Sequence, residues 1–262
     1  MKILFISDIV GKPGRRAVRE LLPQIVYDRN VDLVIANCEN AAGGFGLTRD
    51  VVEELYRIPI HVLTSGNHIW DKKEAEDFID DYETLLRPAN FPKGTPGRGS
   101  ILFANPLGHP VGVINLIGRV FMHPLDCPFR AAETEIEKLR EKTSTIVVDF
   151  HAEATSEKQA LGWFLDGRVS AVLGSHTHVQ TADERILPAG TAYISDAGMT
   201  GPFDSIIGVS IDKALKRFLT GIPQKFDVAK KNVWLQGVVL DIDEKSGKSR
   251  AIERISLKLE EQ

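Results

Sequence analysis

Five times along this chain a short, mostly apolar run ends abruptly at residues that ionise or ligate metals. Residues 3–6 lead into Ser7-Asp8, 31–36 into Asn37-Cys38-Glu39-Asn40, and 60–63 lead on to Gly66-Asn67-His68. Residues 145–150 stop at His151, and 169–173 at Gly174-Ser175-His176-Thr177-His178. Short apolar runs bounded by turn signals suit buried strands. Between them apolar residues recur at helical spacing, first at Val18, Leu21, Leu22, Ile25 and Val26, then over 48–56, 130–142 and 156–165. Strands alternating with helices predict an α/β fold, its parallel strands covered by helices. In open sheets of that kind ligands bind outside the carboxyl ends of the strands. Asp8, Glu39, Asn40, Asn67, His68, His151, His176 and His178, scattered in sequence, are therefore expected to converge.

The remaining segments complete the outline. Residues 72–79 read as a polar helix, 86–95 as a long loop, 101–104 and 111–116 as a hairpin, and 118–129 as a loop rich in Gly, Pro and aromatic residues. The tail turns largely β, with strand signals at 186–187, 192–194, 233–242 and 250–259 and one helix over 212–219. No linker, repeat or low-complexity tract divides the chain, so a single domain over residues 1–262 is expected. There are 36 acidic against 32 basic residues, for a net charge of −4, and no run of five Lys or Arg. Stable binding to a nucleic-acid backbone, which counterion release drives, is not expected, whereas a small nucleotide is compatible. Two cysteines, Cys38 and Cys127, build no disulfide framework and suit a reducing compartment. The first apolar run is too short for a signal peptide, and nothing approaches the ~18 apolar residues that span a bilayer. A cytoplasmic protein without membrane contact is expected, and homo-oligomerisation is a general expectation for such proteins.

Imidazole, carboxylate and amide donors suit borderline ions such as Fe, Mn, Co or Zn, and no thiolate cluster points to iron–sulfur chemistry. Eight donors exceed the needs of one ion. They can serve two, with one carboxylate between them and one histidine left for proton transfer. Each is ambiguous alone: Asp8 could close a turn, Gly66-Asn67-His68 could be a turn, Glu39-Asn40 a solvated loop, and His151 a hydrogen-bonded strand end. The order of the five segments carries the metal reading.

In that order the segments resemble the calcineurin-like metallophosphoesterase superfamily, whose pattern is an Asp, an acidic residue, Gly-Asn-His, a lone His and Gly-His-x-His. More narrowly, Ser7-Asp8-Ile9-Val10-Gly11, Cys38-Glu39-Asn40-Ala41-Ala42-Gly43-Gly44, Gly66-Asn67-His68-Ile69-Trp70 and Asp149-Phe150-His151-Ala152-Glu153 resemble the YmdB family of bacterial phosphodiesterases. That likeness runs along essentially the whole chain. It implies a four-layer αββα sandwich with ligands at the C-terminal ends of the strands, and two metal ions, Fe or Mn foremost. By the same resemblance Asp8, Glu39, Asn40 and His178 hold one ion, Glu39, Asn67, His151 and His176 the other, and His68 is the proton donor. The implied reaction is hydrolysis of cyclic nucleotides, 2′,3′-cyclic nucleotides included, breaking the 2′ P–O bond to leave a 3′-phosphate. The chain also departs from the superfamily. Val10 stands where most members have a histidine ligand, Asn40 being its replacement, and Glu39 is longer than the usual bridging Asp. No acidic residue in 40–44 can orient His68, which leaves Asp71 as the candidate.

For the substrate pocket the candidates are the loops 118–123 and 198–203, with Arg119 on phosphate and Phe121 or Phe203 stacked on a base. A phosphomonoesterase or other small-substrate phosphoesterase is the alternative among enzymes. A non-catalytic regulatory scaffold is the alternative outside them, although it needs neither a filled ligand set nor His68. His61 reads as a packed strand residue, and His109 and His123 as loop residues. Cys38 reads as a space-filling side chain, and Gly43-Gly44-Phe45-Gly46 as a loop requiring positive φ rather than a phosphate cradle.

Overall fold

The computed structural model describes residues 1–260. In chain order its elements are β1 (Lys2–Ile6), α1 (Gly11–Arg29), β2 (Leu33–Asn37), α2 (Arg49–Tyr56), β3 (Val62–Thr64), α3 (Ala75–Phe78), β4 (Ser100–Ala104) and β5 (Pro110–Ile117). There follow α4 (Pro128–Arg140), β6 (Ile146–His151), α5 (Thr155–Phe164), β7 (Ala171–Ser175), β8 (Arg185–Ile186), β9 (Ala192–Ile194), β10 (Gly201–Pro202), α6 (Ile211–Thr220), β11 (Val233–Ile242) and β12 (Ser249–Lys258).

They form two sheets. One runs β10-β11-β1-β2-β3 with β12 beside β11, the other β4-β5-β6-β7-β9-β8. Because side chains alternate along a strand, β1 serves two cores at once. Ile3 and Phe5 join Leu33, Ile35, Val113, Val147 and Leu173 between the sheets, whereas Leu4 and Ile6 pack with Val18, Leu22, Val52 and Leu55 of α1 and α2. On the far side, Ile114, Val148 and Val172 meet Ala132 and Ile136 of α4 and Leu161 of α5. Three apolar cores thus separate four layers, α, β, β, α, as expected. Among the described residues no helix is long and apolar enough to cross a membrane.

Within each sheet the strands bearing the polar segments are parallel neighbours: β1, β2 and β3 in one, β6 and β7 in the other. Their carboxyl ends therefore open onto the same edge. The hairpins β4–β5 and β11–β12 are antiparallel, as the sequence suggests. The helix expected over 72–79 is shorter, with α3 confined to Ala75–Phe78 and followed by a 3-10 turn at Ile79–Asp81. At its start the N–H groups of Ala75, Glu76 and Asp77 bond to the carbonyls of Lys72, Lys73 and Glu74, three residues back, which makes tight turns where an α-helix is expected.

Candidate functional site

The eight donors predicted from the strand ends come together. Glu39, fully buried after β2, accepts the main-chain N–H of His68 on Oε2 at 2.9 Å, and its Oε1 lies 2.9 Å from His151 Nε2. Asn67 Oδ1 is 3.1 Å and His176 Nδ1 is 3.0 Å from the same His151 nitrogen. Ligand atoms of Glu39, His151 and His176 all lie within 4.8 Å of one another. On the other flank Asn40 Nδ2 faces Glu39 Oε1 at 3.2 Å and His178 Nε2 at 3.1 Å, and Asp8 Oδ1 is 3.8 Å from His178 Nε2. Glu39 Oε1 contacts both groups, and Asp8 also reaches across, its Oδ2 accepting the His176 N–H at 3.2 Å and its Oδ1 lying 3.8 Å from His151 Nδ1. Gly66 makes this approach feasible, since a Cβ there would run into His151 and Glu39.

Buried polar residues aim these ligands. His151 Nδ1 lies 3.0 Å from Ser175 Oγ, which donates to Asp149 Oδ1 at 2.6 Å. Asp149 Oδ2 accepts from Thr64 Oγ1 at 2.5 Å and Asn37 Nδ2 at 2.9 Å, so one carboxylate ties the ends of β2, β3 and β7. Asn115 on β5 brackets Ser65, accepting its N–H and donating to its carbonyl, just ahead of Gly66-Asn67-His68. His176 and His178 both take positive φ, +99° and +63°, a costly conformation for side-chain-bearing residues. Thr177 between them is pinned to Asp196 Oδ2 through its N–H and hydroxyl, and the same oxygen accepts from buried Lys158 Nζ at 2.8 Å. The sequence reading assigned no role to Asp149, Asn115, Lys158 or Asp196. The available signal was a polar residue inside an otherwise apolar strand or on the buried face of a helix.

Electrostatics follow from this burial. Desolvation alone would raise Glu39, but the facing His151 and the contact with His68 outweigh it and hold the carboxyl at about 2. His151, which burial alone would lower, is lifted to about 9 by Glu39 and Asp8. Burial and then the neighbouring His151 push His176 down to about 3. Burial raises Asp8 against the pull of His178 and His151, and raises Asp149 to about 6.

The donor set fits divalent cations. Asp8 Oδ1 is buried without a hydrogen-bond partner among the described residues. His178 Nδ1 is engaged by Ile207 O at 2.9 Å, and His176 Nε2 by Glu153 Oε2 at 3.0 Å. Each ring thereby turns its other nitrogen inward, as ligating histidines do.

His68 differs from the other three histidines. Its Nδ1 meets Asp71 Oδ2 at 2.7 Å and its ring lies 4.9 Å from that of Phe45, beside the cluster and facing a cavity of about 250 Å³. The three substrate candidates do not share that cavity. Phe121 is 89% exposed beside Asn67, Met122, His123 and His176 in a second cavity, and Phe203 lines a third with His178 and Ile207. Arg119 reaches Cys127 Sγ at 3.5 Å and donates its main-chain N–H to Glu157. His61 is tied to its neighbouring strand, with Nδ1 accepting the N–H of Val34. Cys38 is buried, its thiol pushed up by desolvation and bonded to Thr64 O, and Gly43, Gly44 and Gly46 all have positive φ.

Comparison with known proteins agrees with this geometry. A family model described as YmdB-like protein matches residues 4–255. A Bacillus subtilis (strain 168) protein named 2′,3′-cyclic-nucleotide 2′-phosphodiesterase is 53% identical over 255 residues, covering 97% of this chain and 96% of that protein. The crystal structure of a novel phosphatase from Mycoplasma pneumoniae matches with a TM-score of 0.92 and 34% identity over 98% of this chain and 93% of that chain. A calcineurin-like phosphoesterase from Bacillus subtilis, 13% identical, shares the fold with a TM-score of 0.57 over 98% of this chain and 90% of that chain. A carboxylate and two imidazoles with ligand atoms within 4.8 Å of one another, as around Glu39, are donors of the kind that hold divalent ions.

Proposed function

The chain belongs to the YmdB-like family, and on that premise we propose that it is a dinuclear metal-dependent phosphodiesterase that opens 2′,3′-cyclic nucleotides to 3′-phosphates. The observation that carries the reading is the junction of two donor groups at Glu39, with one histidine, His68, left beside them facing a cavity. The name of the 53% identical Bacillus subtilis relative supports the substrate class.

Asp8, Glu39, Asn40 and His178 would hold one ion, Glu39, Asn67, His151 and His176 the other, with Fe or Mn suited to these donors. Two divalent ions held there would supply Lewis acidity toward the phosphoryl oxygens and would lower the pKa of a water to about 7. The protein supplies the rest. Asp71 occupies His68 Nδ1 and leaves Nε2 as the nitrogen that delivers a proton. The N–H of His68 bound to Glu39 ties the position of that ring to the metal cluster. As the water oxygen bonds phosphorus, the P–O2′ bond breaks and its electron pair takes the proton from His68 Nε2; the proton lost by water passes to solvent, from which the imidazole is reprotonated. Such proton delivery is worth roughly 10²- to 10⁴-fold.

Phosphomonoester hydrolysis is the second reading, favoured by the match to the Mycoplasma pneumoniae phosphatase. The two separate in one experiment: metal content by elemental analysis, with hydrolysis of 2′,3′-cyclic AMP and of 3′-AMP by wild type, Glu39→Ala and His68→Ala. About two metals per chain, lost in Glu39→Ala, with His68→Ala keeping metal but losing roughly 10²-fold or more in turnover, is the expected outcome. Metal with turnover of 3′-AMP alone would replace the diesterase with a monoesterase.

A further inference from the structure

The cavity that His68 faces has two unlike walls. One is polar, through Glu39, Asn40, His68 and His178; the other is mostly hydrocarbon, from Phe45, Ile207, Phe226 and Val228, with Asp227 also in the lining. We propose that this apolar wall is the nucleobase subsite, and that by seating the base there the protein selects O2′ as the leaving oxygen. The proposal rests on the phosphodiesterase reading above and adds to it where the base lies.

The connectivity of the substrate carries the argument. In a 2′,3′-cyclic nucleotide the base hangs from C1′, which is bonded to C2′. With phosphorus at the cluster and O2′ toward His68, the base is carried past His68 to the wall beyond it. That wall begins with Phe45, edge-on to His68 at 4.9 Å, and continues through Phe226, stacked with Phe45 at 6.1 Å between centroids. A cavity joining convergent polar groups to an apolar surface suits a ligand with an anionic head and a flat, weakly polar body. The second cavity, beside Phe121 and His123, touches Asn67 and His176 but not His68, so a base seated there would turn O3′ toward the proton donor instead.

The wall is also built together with the metal site. Ile207 is a β-branched residue at φ +48°, a strained conformation. Its carbonyl accepts His178 Nδ1–H while its half-exposed side chain borders the cavity. Val228 is held opposite by the backbone pairing of Val209 with Val228 and the bond from Ala229 N–H to Gly208 O. A Cβ at Gly44 would press on Val228, so glycine at that position lets this wall close against the loop after Glu39.

The test compares kcat/KM for 2′,3′-cyclic AMP and for 1-O-methylribose 2′,3′-cyclic phosphate, which lacks a base, using metal-loaded protein. Wild type should favour the nucleotide by about tenfold or more, the effect of one base–aromatic stack. Phe45→Ala and Phe226→Ala should each erase most of that advantage, chiefly through KM, with metal content retained. The wild-type product should be the 3′-phosphate. An advantage that survives in both variants, or release of 2′-AMP by wild type, would overturn the assignment while leaving the diesterase intact. Failure of wild type to hydrolyse either diester would remove the underlying activity and this subsite with it.

Discussion

The two flanks of Glu39 are built on different principles. On the His151 flank, Asn67 Oδ1, His176 Nδ1 and Glu39 Oε1 lie 2.9–3.1 Å from one imidazole nitrogen, and the outer nitrogen of each ring meets a side chain, Ser175 or Glu153. On the His178 flank Asn40 Nδ2 lies 3.1 Å and Asp8 Oδ1 3.8 Å from His178 Nε2, and the outer nitrogen of His178 meets the main chain of a surface loop. Both flanks are rooted in the sheets, with His151 at 0% exposure on one and Asp8 at 0% on the other. The second also leans on a strained loop residue, Ile207 at φ +48°. On the proposed two-ion reading it would carry two carboxylates for one imidazole, against one carboxylate for two imidazoles on the other, and so would suit the harder ion. The proposed pair would then join a flank backed by buried side chains to one backed by a loop, the adjustable flank.

The largest effect on this contrast should come from Asp149→Ala. The substitution removes the acceptor of Ser175, Thr64 and Asn37, leaving three buried donors without it. Each such donor costs about 1–3 kcal/mol, so the midpoint of denaturant unfolding should fall steeply. Loss of the support behind His151 should weaken metal binding on that flank by about 10–100-fold. Titration with Mn in a chelator-buffered assay should then show one weakened site and one nearly unchanged. Equal weakening of both would erase the distinction between the flanks.

Next in size is Lys158→Met. It keeps the aliphatic bulk but strips Asp196, 1% exposed, of its cation. Breaking a buried pair from one side costs about 3–5 kcal/mol. Because Asp196 also holds Thr177, both histidines of that loop should shift, and metal should be lost from both flanks. The double variant Lys158→Met/Asp196→Asn should recover much of the stability, since no unpaired charge then remains buried. Thermal melts of the two variants check this directly.

Asp71→Asn should act on neither flank. Metal content and melting temperature should match wild type, because Asp71 is exposed and bonds only His68 among the metal-side residues. Turnover should nevertheless fall about tenfold as the orientation and proton distribution of the His68 ring loosen. Unchanged turnover would assign the His68–Asp71 pair a structural role alone.

How much of this was legible in the sequence depends on what enforces each position. Asp8, Glu39, Asn67, His151 and His176 follow buried parallel strands, and parallel strands with helical crossovers deliver their carboxyl ends to one edge whatever lies between. Those positions could be read from apolar runs alone. Asp149 and Asn115 could have been flagged by the same physics, since a polar residue inside a buried strand needs a partner. The cavity wall could not. Ile207 and Val228 lie on irregular segments that meet through two or three main-chain bonds, and no periodicity marks such a meeting. The aromatic residues that the sequence offers in loops near the motifs, Phe121 and Phe203, lie in separate cavities. The helix expected over 72–79 is shorter because its start closes three-residue turns, Ala75, Glu76 and Asp77 N–H bonding to Lys72, Lys73 and Glu74 O, a choice that apolar periodicity does not mark.

The smallest effect, and the sharpest test of the adjustable flank, is expected of Ile207→Gly. At φ +48° a β-branched side chain is strained by about 1–3 kcal/mol, whereas glycine adopts this conformation freely but loses roughly 0.5–1 kcal/mol more backbone entropy on folding. The side chain is 54% exposed, so little apolar burial is forfeited. The two effects nearly offset, and the melting temperature should rise slightly or stay put. The bond to His178 uses the main-chain carbonyl, which glycine retains, so metal should stay bound on both flanks. What changes is the border of the cavity, and KM for a cyclic nucleotide should rise a few-fold. Should the variant keep its stability yet release the metal on the His178 flank, then the strained Ile207 side chain, and not simply its carbonyl, sets the position of His178. The adjustable flank would then owe its geometry to stored strain, whereas the His151 flank owes its own to buried hydrogen bonds.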